Sequence, residues 1–225
     1  MKYIPILFNT EMVQAILDGR KTQTRRLLKP KYRENEAGFQ VITNKHNGQF
    51  VRVEYYDEYE ETTRYMKPPC DPDDILWVRE TWCKGRVEYG EEPDGRSVPY
   101  IEQCTGDDSF IPKEWAFRHD VGTEDVVWRP SIHMPRKAAR IFLRVTDVRV
   151  EHLCDMRLND CLNEGVRLTS AEENDLVLGP IRARERFSQV WNSTIKPVEI
   201  DRFGWEANPW VWVITFERCD KPEGW

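Results

Sequence analysis

The sequence predicts an α+β fold built mainly of strands with few, short helices, and three observations carry that prediction. The run WVWVITFE at 210–217 reads as a closing strand. Ile141, Leu143 and Val145, followed by Val148 and Val150, fit a long strand whose alternation shifts near Thr146-Asp147, as a bulge would produce. Between Phe39 and Tyr56 two alternating segments flank Asn47-Gly48, a favoured two-residue hairpin turn.

The remaining elements follow in order. Tyr3 to Phe8 is a short apolar run. Thr10 is positioned to cap a helix in which Val13, Ile16 and Leu17 share one face and Gly19 is the stop. The acidic, proline-containing stretch DEYEETTRYMKPPCDPDD at 57–74 reads as a surface connection, and Ile75 to Val78 resumes as a strand. Residues 84–130 are rich in Gly, Pro and charge and show no sustained period, so they read as a long insertion. A short helix is predicted over Met156 to Glu164, ended by Gly165. Ser170 with Glu173 has capping-box spacing, and Phe187, Val190 and Trp191 place an apolar stripe on a helix near 181–192.

With 225 residues, 40% of them apolar and 12% aromatic, the chain is long enough to bury a full core and is read as one domain, 1–225. No window approaches the ~18 consecutive apolar residues of a membrane span, and MKYIPILFNTEM lacks a signal-peptide cleavage pattern. The six cysteines, at 70, 83, 104, 154, 161 and 219, form no C-x-x-C pair and read as reduced thiols. A cytoplasmic location is the expectation. Net charge is −6 overall but +4 over residues 1–30, −9 over 31–130 and −1 over 131–225. Long duplex DNA is a poor fit to that acidic middle, because its affinity needs many phosphate contacts. A short or single-stranded ligand at one basic site remains compatible.

The sequence carries no Walker-type loop, no G-x-G-x-x-G after a strand, no G-x-S-x-G and no H-E-x-x-H. The four histidines, at 46, 119, 133 and 152, do not have metal-ligand spacing, so neither a metal nor a cofactor is expected. What remains is Gly19-Arg20-Lys21-Thr22-Gln23-Thr24-Arg25-Arg26. Lys21 and Thr24 lie three apart just after a helix stop, the composition of a Thr–Lys nucleophile pair in which a lysine of depressed pKa takes the hydroxyl proton. A solvated basic turn leading into the next strand is the other reading.

The segment GRKTQTRR, after a short helix that itself follows an apolar strand, resembles the signature of the ASCH domain family within the PUA-like superfamily. DDILWVRETW (73–82), RPSIHMPRKAARIFLRVTDVRVEHL (129–153) and NPWVWVITFE (208–217) agree with it in order. Together they resemble the longer ASCH proteins often encoded by prophages. The resemblance implies a PUA-like mixed β-barrel with short helices at its rim and insertions at about 31–70 and 84–130.

In the small ASCH enzymes that the chain resembles, a lysine, a threonine and a downstream glutamate hydrolyse the amide of N(4)-acetylcytidine. By resemblance those roles fall on Lys21, Thr24 and Glu164. The same resemblance leaves a non-catalytic binder of RNA or a modified base, and a ribonuclease, as alternatives. The implied partner is a modified nucleoside or short single-stranded RNA.

Further residues have two readings each. Glu80 can face the Lys21 site or pair with Arg79 or Arg25. Trp82, past the end of a predicted strand, is the preferred platform on which a base would stack, while core packing is its other role. His133 can donate to a substrate or bond to the backbone at a proline turn. Arg20, Arg25 and Arg26 are candidate contacts to ligand phosphate or ribose; the alternative for Arg25 and Arg26 is a solvent-facing edge.

Overall fold

The computed structural model describes residues 1–44, 50–91, 97–103, 115–117 and 127–225. Along the chain run β1 (Tyr3–Leu7), α1 (Thr10–Leu17), β2 (Gln23–Leu27), β3 (Gly38–Thr43), β4 (Phe50–Tyr56) and β5 (Thr62–Met66). Then come β6 (Ile75–Arg79), β7 (Trp82–Glu91), β8 (Ser97–Gln103), β9 (Trp115–Phe117) and β10 (Phe142–His152). The carboxyl-terminal part holds α2 (Leu158–Asn163), α3 (Ser170–Glu173), α4 (Leu178–Ser193), α5 (Ile200–Phe203) and β11 (Trp210–Cys219). This is a mixed α/β architecture of several sheets and short helices. Among the described residues no sheet closes into a barrel.

The chain divides into two compact units: the first comprises Met1, Arg20–Asp74 and Val145–Glu217, the second Lys2–Gly19, Ile75–Arg144 and Arg218–Trp225. In the first unit, β2 pairs antiparallel with β11, Thr24 opposite Ile214 and Leu27 opposite Val211, and β10 is the next strand beyond β11. The apolar run of β11 is buried on both faces, which is why it reads as continuous rather than alternating. Val211 and Val213 pack with Cys161 of α2 and with Ala183, Phe187 and Trp191, the apolar stripe of α4. Trp212 points the other way, into Leu28, Val53 and Val150, with Phe50 edge-on to its ring at 5.9 Å. Through that contact the antiparallel β3-β4-β5 sheet, whose Val53 lies opposite both Val41 and Met66, covers the second face of β11.

In the second unit, β1 runs parallel to β6, and Phe142–Arg144 at the start of β10 pair antiparallel with β6. The other sheet of this unit, β8-β7-β9, is antiparallel. Its core gathers Ile75, Trp77, Trp82, Phe117, Met134 and Phe142, with Trp225 edge-on to Tyr3, Trp77 and Phe142.

Several expectations are revised. Asn9, not Thr10, caps α1, its side chain accepting from the Met12 N–H at 2.8 Å. The capping box of α3 is Thr169 with Glu172, one residue earlier than the Ser170–Glu173 spacing suggests. Within 57–74, Thr62–Met66 form β5, the third strand of a sheet, and 84–130 contains most of β7 with β8 and β9. Both segments hide their strands among charges and prolines that blur the period. Exposure along β10 does change phase where expected, with Thr146 and Asp147 both exposed. The strands flanking Asn47-Gly48 pair as predicted; the turn itself lies outside the described residues.

Candidate functional site

The segment that carries the candidate chemistry begins where α1 stops. Gly19, at φ +74°, adopts the left-handed conformation that ends a helix without the steric cost a Cβ would bring. Three residues later the chain becomes β2, an edge strand. The Thr22 carbonyl accepts from the Phe216 N–H at 2.9 Å and the Leu28 N–H donates to the Trp210 carbonyl at 3.0 Å. By antiparallel alternation the main-chain groups of Thr24 and Arg26 face β11 too, and those of Gln23 and Arg25 face the open side.

That open side is met by the end of α2. The Thr22 N–H donates to the Asn163 carbonyl at 2.8 Å. Lys21 Nζ donates to the Gln23 carbonyl at 2.8 Å, to the Glu164 carbonyl at 2.8 Å and to Glu164 Oε2 at 2.6 Å. One ammonium thus joins an unpaired strand edge to the carbonyl end of a helix, where positive charge is favoured. Glu164 is the last residue of that helix turn, and Gly165, at φ +95°, turns the chain away after it. The Gly165 carbonyl accepts from Arg20 Nη1 at 2.9 Å.

The pair is buried, Lys21 at 2% exposure and Glu164 at 8%. Burial pushes the Lys21 ammonium below its ordinary value, and the adjoining Glu164 carboxylate opposes that shift. Arg25 completes the grip on Glu164, Nη1 to Oε1 at 3.1 Å, and also meets Glu151 Oε1 at 2.6 Å and Asp160 at 3.5 Å. Burial acts to lower the Arg25 value, but Glu164 and Glu151 outweigh it and raise it. Arg149 bridges Glu151 and Asp160 on their outer side. Three cations and three carboxylates therefore face one another across β2, β10 and α2. Arg25 is committed to this network rather than to a solvent-facing edge.

Strand alternation sends Thr24 and Arg26 to the opposite face from Gln23 and Arg25, beside Ile214 and Trp212. Thr24 is buried at 1% exposure. Burial lowers the Arg26 value, with Glu164 opposing.

Glu80, Trp82 and His133 belong to the second unit. Both carboxylate oxygens of Glu80 accept from Arg140, each at 2.9 Å, so its ion-pair partner is neither Arg79 nor Arg25. Trp82 is the first residue of β7, not a residue beyond a strand end. It is buried, edge-on to Trp115 at 5.1 Å, with the Arg129 guanidinium 5.2 Å from its ring, so it packs in the core rather than offering an open platform. His133 is exposed in the short turn Ser131–His133.

Sequence reasoning passed over Gln23, Glu151, Asp160 and Arg149. A signal existed: Asp160 and Glu164 are four apart and therefore share one helix face, while Arg149 and Glu151 share one strand face. Among the described residues no group of three His, Cys, Asp or Glu side chains is placed to hold a metal ion. The chain matches no family model, no curated protein and no solved structure.

Proposed function

We propose that the chain is a cytoplasmic, PUA-like mixed β-barrel protein of the ASCH kind that hydrolyses an N4-acylated or otherwise modified cytidine, free or in short single-stranded RNA. The observation that carries this reading is the buried Lys21–Glu164 pair at 2.6 Å, two residues ahead of Gln23 and three ahead of Thr24. A lysine whose value is depressed by burial and which touches a carboxylate is equipped to move a proton near neutral pH. In this mechanism Thr24 Oγ1 bonds to the acyl carbon and its proton passes to Lys21. The C–N4 bond then breaks, Lys21 returns the proton to N4, and cytidine leaves. Water hydrolyses the threonyl ester to free acid and Thr24, with Glu164 orienting the lysine and the water.

One observation favours a second reading, a module that grips the base without chemistry. Three acceptors surround the Lys21 nitrogen, which suits a fixed ammonium clamp. Incubation with a panel of acylated and otherwise modified nucleosides and short RNAs, followed by mass spectrometry, separates the two. Hydrolysis predicts cytidine and free acid from an N4-acyl substrate. Binding of the panel with no product from any member supports the module instead.

A further inference from the structure

We infer that Gln23 is the base-reading residue of this site, its side-chain amide pairing with the edge of a cytosine that presents N4–H beside N3. The inference rests on the proposed nucleobase site and adds to it a residue that fixes which base is taken. Gln23 is buried at 8% exposure, yet its Oε1 has no hydrogen-bond partner among the described residues. Its Nε2 reaches only Thr215 Oγ1, at 3.5 Å, the outer limit of a hydrogen bond. Turning the amide by 180° exchanges oxygen and nitrogen but still leaves one end without a partner. A buried acceptor in that condition carries its desolvation penalty uncompensated, so it calls for an explanation, and a ligand group that completes the bond supplies one.

Its position links it to the proposed chemistry. The Gln23 carbonyl is one of the three acceptors of Lys21 Nζ, and strand alternation puts its side chain on the face shared with Arg25. A phosphate is a poor ligand there, because the cations Lys21, Arg25 and Arg149 already face Glu151, Asp160 and Glu164. A neutral planar edge suits it better. A carboxamide offers one acceptor beside one donor, the complement of an amino group next to a ring nitrogen, as in glutamine pairing to adenine. Cytosine presents that pattern at N4 and N3, and an acyl group on N4 leaves one N–H in place.

The test measures the affinity of wild type and Gln23→Met for N4-acetylcytidine, cytidine and uridine by titration calorimetry, together with Tm. Methionine keeps the length of glutamine and removes both polar atoms. The expected result is about a ten- to hundredfold weaker Kd for N4-acetylcytidine. The cytidine-to-uridine preference falls toward one, and Tm is unchanged or raised because an unpaired acceptor has gone. A general loosening of the fold weakens both nucleosides alike, so the ratio reports on Gln23 itself. An unchanged ratio overturns the inference while the site reading stands. Wild type that binds none of the three overturns the site reading, and this inference with it.

Discussion

Lys21 and Glu164 meet twice: the same ammonium donates to the carboxylate and to the main-chain carbonyl of Glu164. Because it also holds the Gln23 carbonyl, Lys21 closes the free edge of β2 onto the end of α2. Structural and chemical roles therefore fall on one side chain, and the predictions below separate them.

The first concerns stability. Removing one member of a buried ion pair strands the other, at a cost of about 3 kcal/mol or more. Lys21→Met is expected to lose that much, since two carbonyls and a carboxylate lose their donor together. The double variant with Glu164→Gln should lose less than the sum of the single losses, by at least about 1 kcal/mol. Urea unfolding of the four proteins measures this. Strict additivity would show that the pair contributes nothing as a pair.

The second concerns pH. Burial lowers the Lys21 value in the folded chain below its ordinary 10.5, so between the two values the unfolded chain binds more protons. Stability contributed through Lys21 then rises with pH up to about that ordinary value. Wild type should gain on Lys21→Met as pH is raised from 7 to 10 in parallel urea titrations. A steady loss relative to that variant would mean that Glu164 dominates and the lysine value is raised.

The third concerns Cys161, fully buried on α2 and pushed up to about 11 by that burial. The thiolate is the reactive form, so iodoacetamide at pH 8 should leave Cys161 unmodified in the native protein and label it only after unfolding. Peptide mapping reads the outcome. Rapid native labelling would mean that α2 opens readily and that the site it supports is not rigid.

Local chemistry was legible in the sequence, and long-range partnership was not. Gly19 and Gly165 read as helix stops because glycine closed each periodic run, and both have positive φ. Lys21 and Thr24 drew attention through their spacing. Glu164 lies 143 residues from Lys21, and no spacing rule selects a carboxylate over that distance; it was reached only through the resemblance and its place before Gly165. Arg25 reads as a candidate phosphate contact in a basic octet, yet carboxylates from β10 and α2 converge on it. Trp82 looked free because Glu80 and Thr81 interrupt the strand pattern, whereas β7 starts at Trp82 and returns its ring to the core. An orphaned acceptor such as Gln23 Oε1 has no signature in sequence at all.

The most direct measurement of the central claim is product formation from N4-acetylcytidine by wild type, Lys21→Arg and Thr24→Val, each checked for folding by Tm. Arginine keeps the positive charge but cannot act as a base at ordinary pH, and valine keeps the shape of threonine without its hydroxyl. The account predicts cytidine and acetate from wild type, and turnover reduced at least a hundredfold in both variants, in line with loss of a general base or a nucleophile. Full turnover by folded Lys21→Arg would contradict it, because Lys21 could then not be the group that moves the proton.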